Sequence, residues 1–273
     1  MKKYNHLDSS LLEQKIALVT AGAAGIGRTI ADDLLRQGAT VYVCDVNAEA
    51  LAAFETFYVG EKNACSALVD VSDAHQVESF INSIMENHGR LDILVNNAGI
   101  AGPVKPVEDV GVDEWQATLA VDLDSVFFFT KFCIPLLKKS DDGVIVNMSS
   151  NAGLFGLALR SPYVAAKWAI IGLTKTWAME LGAYGIRVNA VCPGSVEGPR
   201  IDGVIKRDAQ TRAVPESDIR KVYERQSSLR RFVSATDIAN MVSYLVGEAG
   251  RNISGQAISI DGHTESLANW LDD

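Results

Sequence analysis

Tyr163 and Lys167, four residues apart, are the pair in this chain best suited to proton chemistry, within the stretch NMSSNAGLFGLALRSPYVAAKWAIIGLTKTWAMEL from Asn147 to Leu181. Pro162 suits a first helical turn, and apolar residues recur beyond it with helical spacing through Met179, so Tyr163 and Lys167 are expected on one helix face. A phenol titrates near ~10 and is a poor base at neutral pH, but an adjacent ammonium stabilises the phenolate and makes it a usable proton carrier. Ser150, upstream of Tyr163 in the same stretch, is placed to hold a substrate oxygen beside it.

Spacing alone does not mark the site, because Tyr58 and Lys62 repeat the pattern. That second pair reads as a solvated surface accident. Only Tyr163 has Ser149 and Ser150 upstream, closing the apolar run GVIVNMSS, and a strand-like run with Pro193-Gly194 downstream. On these residues the chain resembles the short-chain dehydrogenase/reductase family from about Lys15 to Gly262. The resemblance implies hydride transfer between a nicotinamide cofactor and a secondary alcohol or carbonyl. It makes Tyr163 the general acid/base, Ser150 the residue that positions the substrate oxygen and Lys167 the residue that orients the ribose. It also implies a homotetramer.

The elements that must position these residues follow a regular order. KIALVT is a β-rich run, AGAAGIG a glycine turn, and TIADDLLRQ a helix stopping at Gly38, which together make half of a dinucleotide fold. Glycines admit a pyrophosphate close to the backbone, and the N–H groups at the helix N-terminus stabilise its charge. Where the family writes TGxxxGxG, this chain has Ala21 for the first glycine; Gly22 is the candidate to share its role, and the methyl matters only if position 21 needs positive φ or close cofactor approach. ATVYVCDVN is a second strand ending at Asp45, whose carboxylate suits the two ribose hydroxyls and repels a 2′-phosphate. With no basic residue at Ala24 or Val46, this favours NAD over NADP. The alternative makes Asp45 a turn residue or the cap of a helix over Ala48–Phe57.

Further strands are ACSALVDV, LDILVNNAG, GVIVNMS, RVNAVCPGSVEG and GQAISIDG, with helices at about Ala74–His88 (closed by Gly89) and within TDIANMVSYLVGE, starting near Ala235 or Thr236. Alternating strands and helices predict a single α/β domain: a doubly wound, mostly parallel, seven-stranded Rossmann-like sheet with helices on both faces. By resemblance the cofactor contacts are Gly22, Gly25, Ile26 and Gly27, then Asp45, with Asp70 and Val71 at the adenine. Asp70 reads almost equally as part of the next helix's N-cap region. Asn97, Ala98 and Gly99 follow at a strand edge, Asn97 against the adenosine half, and Pro193, Gly194 and Val196 border the nicotinamide beside Tyr163 and Lys167. Gly198 stands where the family has Thr, and Ser195 offers a substitute hydroxyl.

DEWQATLAVDLDSVFFFTKFCIPLLKK reads as one long helix with apolar residues on too many sides for one seam; Phe127, Phe128 and Phe129 point in different directions, suggesting a subunit contact. Inside it Asp122 replaces the Asn that in the family holds a water next to the catalytic Lys. Read as partly open to solvent, Asp122 either accepts the relay's hydrogen bonds with its charge screened or, charged beside Lys167, weakens the help Lys167 gives Tyr163. Residues 198–232 form a substrate-loop insertion. Its Arg200, Lys206, Arg207, Arg212, Arg230 and Arg231 read as solvated helix charge, with Glu216 and Arg220 a turn apart, or as a site for an anionic substrate group.

Composition sets the remaining bounds. At 273 residues and 48% hydrophobic the chain can bury one good core, and its net charge of −9 argues against nucleic acid as a partner. No apolar run approaches the ~20 residues of a membrane span and no signal peptide is evident, so a cytoplasmic location is expected. Cys44, Cys65, Cys133 and Cys192 stand singly, as buried thiols rather than disulfides, and no metal site is expected. Residues 1–14 are a polar lead-in, and 263–273 a tail suited to packing on a neighbour. Two other functions fit the same fold: an NAD-sensing binding protein without turnover, motivated by Ala21, Asp122 and Gly198, and an epimerase or dehydratase using bound NAD.

Overall fold

The computed structural model describes residues 11–267, so most of the lead-in and the end of the tail lie outside the described residues. Seven parallel strands run in the order β3-β2-β1-β4-β5-β6-β7: β1 (Ile16–Thr20), β2 (Thr40–Asp45), β3 (Ala64–Leu68), β4 (Ile93–Asn96), β5 (Val144–Met148), β6 (Arg187–Pro193) and β7 (Ala257–Ile260). Their inner strands are apolar on both faces because both faces are covered. Ala17 and Val19 of β1 pack towards α1 (Gly25–Arg36), α2 (Ala48–Phe57) and α9 (Ala235–Val246) through Ile30, Leu34, Phe54 and Val242. Ile16 and Leu18 point the other way, to α3 (Ala74–His88), α5 (Ser125–Leu137) and α6 (Ser161–Leu181) through Phe80, Ile84, Phe129 and Ile170. The expected architecture is the observed one.

Capping fixes where the helices begin. Asn47 accepts from the Glu49 and Ala50 amides at the start of α2, so Asp45 is not its cap. Asp73 caps α3, and Gly89 ends it at φ 69°. Ser234 caps α9 in a reciprocal box with Asp237, just before the start expected at Ala235 or Thr236. Chain order reverses between β1 and β4, and a cleft of about 570 Å³ opens at that edge of the sheet, where open α/β sheets bind their ligands.

Two expectations change. The long helix is α4 (Val112–Leu119), a π turn at Ala120–Asp124, then α5, and the wide turn carries Asp122 into the interior at 0% exposure. Its charge is therefore not screened by solvent. The segment read as a substrate loop is a helical hairpin, α7 (Pro199–Arg212) and α8 (Glu216–Arg225), with its own apolar cluster of Ile201, Val204, Ile205, Ile219 and Tyr223. Arg220 does not pair with Glu216. It bridges Glu197, Asp202 and Glu224, tying α8 to the start of α7.

Candidate active site

Lys167 and Tyr163 project from one face of α6 into the cleft, with the Lys167 Nζ 5.6 Å from the centroid of the Tyr163 ring. Lys167 is 3% exposed and donates to the Met148 carbonyl at 3.1 Å. The Ser149 hydroxyl donates to the Lys167 carbonyl, and Gly153 lets the two segments meet: a Cβ there would lie 2.6 Å from that carbonyl oxygen. The end of β5 and the middle of α6 are thus locked together, and Ser150 follows directly. The Ser150 oxygen accepts from the Ala152 amide, and Ser150 lines the cleft beside Tyr163.

Burial raises the Tyr163 phenol, but Arg200, then Lys167 and the Ser150 hydroxyl, outweigh it, and Tyr163 rests below its ordinary value. Tyr58 is the opposite case. It is not a solvated accident: its hydroxyl donates to Asp32 at 2.7 Å, and burial together with that carboxylate pushes the phenol up to about 12. The two Tyr-x-x-x-Lys patterns differ because α2 ends at Phe57, so Tyr58 and Lys62 share no helix face.

Asp122 lies under this pair. Its Oδ1 accepts from the Ile100 amide at 2.6 Å, while its Oδ2 has no hydrogen-bond partner among the described residues. Gly99 makes the arrangement possible, since a Cβ there would lie 3.2 Å from Asp122 Oδ1 and 3.4 Å from Lys167 Nζ. Burial raises the Asp122 carboxyl above its usual value against the pull of Lys167, the Ile100 amide, Arg200 and Arg160.

At the other end of the cleft the glycine turn fits a dinucleotide. Gly25, at φ 55°, faces open space, and α1 begins without a side-chain cap bond and without an acid in its first turn. Gly27 cannot carry a side chain, as a Cβ would fall 2.2 Å from the Ala21 carbonyl oxygen. Ala21 itself sits at φ 49°, so its methyl occupies a left-handed position, and Gly22 does not substitute for it. Gly22 serves packing: a Cβ there would be 2.7 Å from Val43 Cγ1. Asp45, at the tip of β2, lines the cleft and accepts from the Ala23 and Asn47 amides. Arg28, on the first turn of α1, is engaged with Asp32 and stacked over Phe54 and Phe57.

Gly25, Ile26, Gly27, Asp45, Asn97, Gly99, Ser150, Tyr163, Lys167, Pro193, Gly194 and Val196 line one cleft. Gly22, Asp70, Val71, Ala98 and Asp122 are not on its wall. Asp70 accepts from the amide and hydroxyl of Ser72 in the turn before α3. Ala98 is buried and donates to the Thr20 hydroxyl, which also receives the Asn97 amide. The Asn97 side chain donates to the Thr20 and Ala21 carbonyls, so it holds the glycine turn in shape. Gly198 caps α7 at φ 134°, a conformation that suits glycine and not the family's Thr. Sequence reading missed Asn151 and Arg160, which also line the cleft. The available signal was a cation placed just ahead of Pro162 and Tyr163.

The order of the strands, the glycine turn and the Ser150, Tyr163 and Lys167 constellation agree with what the chain matches. A family model described as enoyl-(acyl carrier protein) reductase, adh_short_C2, covers residues 21–263. An uncharacterised oxidoreductase of Bacillus subtilis, YxjF, is 37% identical over 92% of this chain and 98% of its own length. The chain belongs to the short-chain dehydrogenase/reductase family. Another relative of this short-chain dehydrogenase is a D-beta-hydroxybutyrate dehydrogenase of Cupriavidus necator, 35% identical over 92% of this chain and 98% of that one. The crystal structure of an NAD+-bound xylitol dehydrogenase superposes with a TM-score of 0.87 at 28% identity, covering 92% of this chain and 99% of that one. Short-chain dehydrogenases of this kind are oxidoreductases of alcohol and carbonyl groups that use a nicotinamide cofactor. No helix among the described residues is long and apolar enough to cross a membrane.

Proposed function

We propose that this chain is an NAD-dependent dehydrogenase that interconverts a secondary alcohol and its ketone, with a small-molecule substrate that is anionic. The observation that carries the reading is the Tyr163 phenol, held below its ordinary value one helical turn from Lys167 and beside Ser150. When bound, the nicotinamide would supply the redox chemistry, its oxidised form taking the hydride in oxidation and its reduced form giving it in reduction. Tyr163 takes the hydroxyl proton during oxidation and returns it during reduction, and Ser150 holds the same oxygen in place. Lys167 stabilises the phenolate and orients the ribose. Asp122, in the place of the family's Asn, holds the proton relay behind Lys167.

Asp45 supports NAD over NADP: a carboxylate at the tip of β2 suits two ribose hydroxyls and repels a 2′-phosphate. Gly25, Ile26 and Gly27 with the N-terminus of α1 suit the pyrophosphate, and Pro193, Gly194 and Val196 the nicotinamide side. A cytoplasmic homotetramer completes the reading. Incubating the protein with NAD or NADP and a series of secondary alcohols, sugars and hydroxy acids, and following absorbance of the reduced cofactor, tests it. Net NADH release supports a dehydrogenase; nucleotide binding without release from any substrate would favour a sensor, and turnover without net release an epimerase or dehydratase.

A further inference from the structure

Arg160, the residue that opens α6, is 5% exposed and lines the substrate half of the cleft. Its guanidinium stacks on the Tyr163 ring, 4.8 Å from the centroid, and Nη2 donates to the Ala101 carbonyl at 2.7 Å. Its Nε is buried with no acceptor, and among the described residues it forms no ion pair. Arg200 also lines this part of the cleft, donates to the Gly99 carbonyl and has no ion pair among the described residues. Arg200 is exposed, whereas Arg160 is a desolvated cation without a counter-ion, which is costly in a resting protein and persists where a ligand supplies the missing charge.

The surrounding charges leave that counter-ion to be found. Asp122 lies in the field of Lys167, Arg160 and Arg200, but it is already bonded to Ile100 and tucked beneath the cleft wall. Asp208, near Tyr223, is paired with Arg212, and Glu197 on the cleft rim with Arg220. In a protein with net charge −9, the substrate side of its site therefore carries an excess of cations. Leu157, Ile201 and Val204 add apolar wall on the same side, which suits a short alkyl chain. A small apolar body with one negative end matches this lining.

Resting on the dehydrogenase reading, we propose that Arg160, assisted by Arg200, forms an anion subsite that takes the carboxylate of a short hydroxy acid or of the corresponding oxo acid. Because the guanidinium stacks on the ring of Tyr163 itself, the carboxylate sits only a few bonds from the carbon that exchanges hydride. Arg160 thereby selects the substrate and orients its hydroxyl towards Tyr163 and Ser150.

Two measurements test the subsite. In the first, NAD-saturated protein is offered lactate, 3-hydroxybutanoate and 4-hydroxypentanoate, each beside its methyl ester. The expected result is an acid whose kcat/KM exceeds that of its ester by roughly a hundredfold, with Arg160→Gln driving the acid-to-ester ratio towards unity mainly through KM and Arg160→Lys keeping part of the preference. A ratio near unity in the unmodified protein, or one that Arg160→Gln leaves unchanged, overturns the subsite. In the second, calorimetry on the NADH-saturated protein compares malonate with malonamide; malonate alone should bind, and more weakly in Arg160→Gln. NADH release from neutral alcohols without acid preference and without malonate binding removes the subsite and leaves the dehydrogenase standing. Malonate binding that depends on Arg160, without NADH release from any alcohol, does the reverse. Should Arg160→Gln fail to fold, the acid and ester pair on the unmodified protein and Arg160→Lys still decide.

Discussion

Lys167 reaches across one turn of α6 to place its Nζ 5.6 Å from the centre of the Tyr163 ring, while a hydrogen bond to the Met148 carbonyl holds that ammonium at the end of β5. The helix supplies the spacing and the strand supplies the anchor. Replacing Tyr163 by Phe keeps the ring that Arg160 and Lys167 pack against but deletes the acid/base oxygen. Turnover should fall by at least about a hundredfold while NAD affinity, measured by calorimetry, stays close to that of the unmodified protein. Retention of most of kcat would show that the proton passes elsewhere.

The lowered phenol of Tyr163 sets the direction of pH dependence. Alcohol oxidation needs the phenolate, so kcat/KM for oxidation should rise with pH through a midpoint below ~10, the ordinary value for tyrosine. Ketone reduction needs the phenol and should fall across the same interval. Profiles of kcat/KM in the two directions check both signs; an oxidation rate flat up to that pH contradicts the assignment.

Asp122 adds a separable effect. Its negative charge raises the Tyr163 phenol, so Asp122→Asn should move the alkaline rise of the oxidation profile to lower pH. The stability effect follows from burial. A carboxyl raised above its unfolded value of ~3.9 binds its proton more tightly when folded, so the native state loses stability as pH climbs from the unfolded value through the raised one. Asp122→Asn avoids that loss, so its melting temperature should exceed that of the unmodified protein at pH above the raised value and converge with it near ~4. A common melting temperature across pH would mean that folding leaves the Asp122 carboxyl at its unfolded value, and an unmoved rate profile that its charge does not reach Tyr163. A drop in activity beyond about a thousandfold would instead give it a role of its own.

Asp45→Ala should narrow the preference for NAD over NADP, because it removes the carboxylate suited to ribose hydroxyls and hostile to a 2′-phosphate. Asp45 also accepts from the Ala23 and Asn47 amides, so some loss of affinity for both cofactors is expected as the turn loosens. The ratio of kcat/KM for the two cofactors separates these effects; a ratio that does not move would show that Asp45 only shapes the turn.

Ala21→Gly relieves a side chain held at φ 49°. The left-handed position costs an L-residue about 1–2 kcal/mol, and the greater freedom of Gly in the unfolded chain returns roughly 0.4–1 kcal/mol of that. A net stabilisation of about 0.5 kcal/mol should appear in denaturant unfolding, with cofactor affinity unchanged or tighter. Destabilisation would mean that the methyl contributes packing beyond its strain.

The outer face of the helices carries the last prediction. Phe127 on α5 is 48% exposed and Trp168 on α6 is 52% exposed, whereas Phe129 is fully buried in the core of the same chain. Phe127→Glu should shift sedimentation at micromolar concentration from tetramer towards smaller species while the monomer fold is retained in circular dichroism. A monomer in the unmodified protein would overturn the assembly.

The sequence determined the order of elements, because strand runs, glycine turns and helix stops are local signals that the backbone obeys wherever the rest of the chain lies. Helix α2 at Ala48–Phe57 and α3 at Ala74–His88 have the boundaries read from residue types alone. It also singled out Ser150, Tyr163 and Lys167, since one helical turn and one strand end bring them together. It did not determine what burial does to a charge. Asp122 read as part of an ordinary helix open to water, and only the π turn and the close approach of Gly99 make it an enclosed acid beside Lys167. Residues 198–232 read as a loop because their charges obscure the few apolar positions, and those positions form a core only once α7 and α8 fold against one another. The sequence shows Arg160 only as a cation just ahead of Pro162 and Tyr163. Its chemistry comes from losing solvent without gaining a carboxylate, a condition set by distant segments and written in no local spacing.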